Sequence, residues 1–186
     1  MSLPKSLFRL ALVTAFLLLI PLLAMQFTQE VAWTLTDFLA AGVLLFGAGL
    51  TFVLIARQGG NATYRLAVGV AVAAGLLLVW LNLAVGFIGS EDNPANLLYG
   101  GVLATALIGA VVARFRPLGM ARAMFWAALV QFMVPIIAAL IWKPEMNLGM
   151  VQVLVLNALF AALWAAAGWL FRRAGGSGPQ PIQQFA

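Results

Sequence analysis

The chain has 186 residues, 65% hydrophobic and only 8% charged, with a mean hydropathy of +1.07; soluble domains carry about a quarter charged residues, so a water-soluble globular fold is excluded. The net charge of +5 does not point to nucleic acid, because the basic residues stand between apolar runs and not in a patch. Cys and His are both absent, which removes disulfides, thiolate nucleophiles, imidazole bases and imidazole metal ligands together.

Six runs approach the roughly 20 apolar residues needed to cross about 30 Å of hydrocarbon. They predict an all-α polytopic membrane protein, a compact bundle of six transmembrane helices over residues 7–25, 35–56, 65–88, 94–113, 123–142 and 148–171. One integral membrane domain then covers 1–173. Residues 174–186, rich in Gly, Ser, Pro and Gln, read as a flexible cytoplasmic tail.

The first run follows Lys5 and Arg9 and has no A-x-A-like cleavage site after it, so it reads as an uncleaved anchor. Thr34-Leu35-Thr36-Asp37 matches a capping box ahead of the second helix. Arg57, Gly59, Gly60 and Asn61 form the next turn, and Arg65 opens the third helix. Ser90, Glu91, Asp92 and Asn93 then interrupt the apolar sequence. Asn93 suits an N-cap with Pro94 at the first helical position, where a missing N–H costs nothing. Arg114, Arg116 and Arg122 mark a basic turn before the fifth helix, which contains Pro135 and ends at Lys143, Pro144 and Glu145.

Six spans put nine of the ten basic residues on one side, with only Lys143 opposite, and all five acidic residues on the other side. The positive-inside rule makes the basic side and both termini cytoplasmic. Trp33, Tyr99 and Trp142 fall near the outer boundary and Tyr64, Trp126 and Trp169 near the inner one, as expected of interfacial aromatic rings. Residues 34–44 align with 93–103, Asp37 opposite Asn96 and Gly42 opposite Gly101. The alignment suggests a repeated helical hairpin, although small apolar residues align readily in any membrane sequence.

Chemistry-bearing side chains are few. Asn82, Gln131 and Asn157 fall at comparable depth in three helices and form a candidate intramembrane polar cluster; Gln152 is a fourth amide. The cluster reads either as a site for a small polar group or as interhelical hydrogen bonding, averaging ~0.6 kcal/mol per bond. The lack of an ionisable partner favours bonding. Asp37 reads as a cap before it reads as a coupling carboxylate. Glu91, Asp92 and Asn93 supply too few oxygens for a calcium site. Arg114, Arg116 and Arg122 are candidates for lipid head-group contact, and topology alone would also place them there. Gly101, Thr105 and Gly109, and likewise Ala158, Ala162 and Ala166, form small-residue ridges suited to helix packing, within the chain or in a homo-oligomer.

The strings IGSEDNPANLLY, FGAGL, ARQGGN with Tyr64-Arg65, and VWLNLAVG resemble a group of small bacterial membrane proteins with no assigned activity, over roughly residues 30–125. The resemblance implies a bacterial inner-membrane location and transfers no functional residue. The expected role is a non-catalytic structural, assembly or accessory subunit. The alternative is a carrier or channel for a neutral or lipid-like solute, with Pro21 and Pro135 as bending points. No catalytic residue, metal or cofactor is expected, since no acid–base pair or nucleophile is visible. The expected partners are the bilayer and a membrane protein or a second copy.

Overall fold

The computed structural model describes residues 3–90, 92–142 and 148–176. Six helices in it are long and apolar enough to cross a membrane, and the protein is an all-α, multi-pass membrane protein. They are α1 (Leu3–Phe27), α2 (Leu35–Ala56), α3 (Ala62–Ala84), α4 (Tyr99–Val112, preceded by a 3-10 turn over Pro94–Leu98), α5 (Pro117–Trp142) and α6 (Leu148–Gly176). Glu91, the Lys143-Pro144-Glu145 turn and residues 177–186 of the expected tail lie outside the described residues.

Two compact units divide the chain, Met1–Ile55 and Ala56–Ala186. In the first, α1 and α2 run antiparallel: Leu18 lies over Gly42 and Leu10 over Gly49. The start of α2 is set by its own sequence. Asp37 Oδ2 accepts from the Thr34 amide and hydroxyl, both at 2.7 Å, and the Asp37 amide donates back to Thr34 Oγ1 at 3.4 Å. Trp33 meets Phe38 edge-on at 5.3 Å, the staple that accompanies such a box. Helix α1 runs unbroken through Pro21, as α5 does through Pro135.

In the second unit, α6 packs along α3 and α5, and α4 packs along α5. Positions that rise along α3 fall along α6: Tyr64 meets the Phe171 ring at 5.2 Å, while Gly75 faces Trp164. These two helices are therefore antiparallel. The α4–α5 pair is tighter, since a Cβ on Gly109 would lie 2.6 Å from the Ala123 Cβ. Such close backbone approach matters in lipid, where burial away from water does not drive helices together and packing must. Gly109 uses its predicted ridge in this way. Gly101 and the Ala158, Ala162 and Ala166 ridge are instead exposed, so packing within this unit does not use them.

Several predicted boundaries move, each for a local reason. Helix α3 ends at Ala84, not at residue 88, because Gly86 enters the left-handed region at φ +70° and its amide reaches back to the Leu81 carbonyl. A Cβ there would overlap the Ser90 carbonyl, so only glycine fits. Asn93 caps as expected, accepting from the Ala95 amide at 2.9 Å, but the turn it starts is 3-10 before it becomes α-helix at Tyr99. Helix α5 starts at Pro117, six residues before its expected position, placing Arg122 inside the helix and not in the turn. Helix α6 runs on through Ala174 to Gly176, shortening the expected tail.

Candidate functional site

Three helices meet in a buried amide–phenol cluster. Asn157 of α6 is 1% exposed and Gln131 of α5 is fully buried. Asn157 Nδ2 donates to the Tyr99 hydroxyl at 2.8 Å and to the Val153 carbonyl of the preceding turn at 2.8 Å. Its Oδ1 accepts from Gln131 Nε2 at 2.9 Å and from the Tyr99 hydroxyl at 3.1 Å. Both ends of the carboxamide are thus occupied, which a buried amide in an apolar interior requires.

The third predicted member stands apart. Asn82 of α3 turns its Nδ2 onto the Leu78 carbonyl of its own helix at 2.9 Å. Since Gly75 is level with Trp164, two turns further along both helices bring Asn82 level with Asn157, yet no hydrogen bond joins them. Asn82 Oδ1, Gln131 Oε1 and Trp164 Nε1 are buried without a hydrogen-bond partner among the described residues. Tyr99, expected at the outer boundary among interfacial rings, is instead 2% exposed and belongs to the cluster. Its phenol needs a partner once buried, and Asn157 supplies it.

The turn after α3 closes the cluster from above. Asn96 Oδ1 accepts from the amides of Phe87 at 3.1 Å and Ile88 at 2.9 Å, and Asn96 Nδ2 donates to the Ser90 carbonyl at 2.7 Å. One side chain therefore folds residues 86–90 inward. Phe87, 3% exposed, lands against Tyr99 at 4.7 Å and Phe160 at 5.2 Å. Beyond this lid lie a cavity of about 60 Å³, lined by Ile88, Pro135 and Val153 among others, and an open cleft of about 540 Å³ beside Gly86, Gly89 and Gln152. Asn82, Gln131 and Asn157 line neither.

At the opposite end of this unit, the start of α3, the α4–α5 turn and the end of α6 are tied together. The Tyr64 hydroxyl donates to the Phe115 carbonyl at 2.7 Å, and Asn61 Nδ2 donates to the Ala174 carbonyl at 3.0 Å. Asn61 Oδ1 also caps α3, accepting from the Tyr64 amide at 2.8 Å. Tyr64, predicted as an interfacial ring, is 1% exposed because of this role. The α4–α5 turn closes through the amides of Arg114 onto Val111 and Phe115 onto Ala110, with Arg114 at φ 49° and Phe115 at φ 58°. This is a Schellman closure with arginine at the position glycine usually takes. Arg114, Arg116 and Arg122 are all exposed around it. Asp37 is held by its capping box, Asp92 is exposed, and Glu91 lies outside the described residues.

Fold and site together define a multi-pass helical membrane protein with a polar cluster enclosed between three helices and an arginine-rich end. Among the described residues no three His, Cys, Asp or Glu side chains are grouped to hold a metal ion. Comparison with protein-family models, with curated proteins and with solved structures finds no match in any of the three.

Proposed function

We propose that the protein is a non-catalytic structural or accessory subunit of a bacterial inner-membrane assembly, with its basic side and both termini cytoplasmic. The observation that carries this reading is the enclosure of the amides. Asn157 is saturated by hydrogen bonds inside the packed unit, and neither neighbouring cavity is lined by it or by Gln131. Such bonds serve to fix helices relative to one another. Helices α1 and α2 add apolar surface: Phe8, Phe16, Leu35 and Val43 are each more than two-thirds exposed, available to lipid or to a partner helix. The cytoplasmic assignment rests on the nine-to-one distribution of basic residues.

Purification of the full chain from native membranes at native expression tests the reading. A stoichiometric membrane-protein partner is expected, and recovery of the chain alone counts against it. A second reading, a carrier for a small neutral solute, is favoured by the two buried amide oxygens without partners, on Asn82 and Gln131. Solute flux into liposomes containing the purified protein, lost in Gln131→Leu, would establish that reading and remove the first.

A further inference from the structure

The arginine-rich end is more than a row of charges in sequence. Tyr64 joins the start of α3 to the α4–α5 turn, and Asn61 joins the same start to the end of α6. Gly175 lies beside Pro117 and Leu118. These ties gather Arg65, Arg114, Arg116, Arg122, Arg172 and Arg173, all exposed, at one end of the unit. No Asp or Glu occurs in residues 56–65, 113–122 or 170–176, so no carboxylate from these segments neutralises Arg114, Arg116 or Arg122. Arg173 stacks on the Trp169 ring at 3.7 Å, which leaves its charge in place beside an exposed ring.

Arg114 is the informative member. It occupies the left-handed position that closes α4, where an arginine is disfavoured and glycine is not. Topology alone does not explain an arginine at that one position, since Arg116 stands two residues away. We propose that this end of the unit is a binding surface for anionic phospholipid head groups, with Arg114, Arg116 and Arg122 as the phosphate-facing residues. Arg114 and Arg116 come from the exposed turn and Arg122 from the second turn of α5, where its long stem can carry the guanidinium out to head-group level. The guanidinium fork matches phosphate oxygens, and the apolar helices beneath supply the wall for the acyl chains.

The test is a titration of the full-length protein, in non-ionic detergent micelles, with phosphatidylglycerol or phosphatidylcholine, with bound lipid counted by native mass spectrometry. Each arginine near an anionic head group contributes about fivefold, so the three together give a preference on the order of a hundredfold. Arg114→Gly separates charge from folding. It relieves the left-handed position, so the melting temperature holds or rises while the preference falls about fivefold. The triple variant R114G/R116Q/R122Q lowers the preference by on the order of a hundredfold. Equal affinity of the wild-type chain for both lipids, or an undiminished preference in Arg114→Gly, overturns the proposal. Displacement of bound phosphatidylglycerol by millimolar inorganic phosphate overturns the assignment to lipid.

Discussion

Tyr64 and Phe115 are 51 residues apart in the chain and joined by one hydrogen bond of 2.7 Å, from the tyrosine hydroxyl to the phenylalanine carbonyl. The bond matters because Arg114 and Phe115 are both in the left-handed region, a conformation costing about 1–2 kcal/mol per residue for a side chain with a Cβ. The Tyr64 bond holds it from outside, beside the turn's own bonds to Val111 and Ala110. Tyr64→Phe keeps the ring against Phe171 and removes only the donor, and should lower stability by about 1–2 kcal/mol. Thermal unfolding in detergent measures this, and an unchanged midpoint would show that the turn is held without Tyr64.

Asn82 and Asn157 look alike in sequence and should behave differently. Asn157→Leu strips Gln131 and Tyr99 of their shared partner and leaves both polar groups buried, at about 2 kcal/mol. Asn82→Leu removes one bond to its own helix together with an oxygen that has no partner, so it should be close to neutral. Equal destabilisation of the two variants would contradict the geometry. The double variant Gln131→Leu, Asn157→Leu should recover part of the loss, because fewer polar groups are then left stranded.

Asn96 holds the lid. Asn96→Ala removes the acceptor for the Phe87 and Ile88 amides and the donor to the Ser90 carbonyl. Those two amides should lose protection in hydrogen-exchange mass spectrometry while the interior of α5 keeps its own. Exchange that stays slow at residues 87 and 88 would mean the turn is set by Gly86 alone.

Gly109 permits the α4–α5 approach. Gly109→Val places a branched side chain where the Ala123 Cβ already lies, and forcing the helices apart costs about 1–3 kcal/mol. Gly101→Val, at an exposed position on the same predicted ridge with nothing nearby, should cost much less. Comparing the two unfolding midpoints separates packing from the general effect of replacing a helical glycine.

Apolar run length made the six helices readable from sequence, because the bilayer imposes a length that few other structures need. The Thr34–Asp37 box and the Asn93 cap were readable too, since a cap is satisfied by neighbours within three residues. Long-range partners were not. Nothing local distinguishes Tyr64 and Tyr99 from interfacial rings; only the arrival of the Phe115 carbonyl and of Asn157 makes them interior residues. Likewise, Gln131 and Asn157 could be placed at one depth by counting rise, but whether Asn82 faced them depended on helix rotation, which depth does not fix. The early start of α5 was missed because Arg114, Phe115 and Arg116 carry no glycine to mark the tight closure, leaving Pro117 as its only local sign.

The bond from Asn61 to Ala174 spans 113 residues. On the ribosome the asparagine emerges long before its acceptor is made, so the first helix of this unit must wait at the membrane surface with half of that amide unanswered. The tie to α6 can close only once residue 174 has been made, and a stall or cut anywhere between the two residues should leave an inserted but unfastened set of helices open to membrane proteolysis.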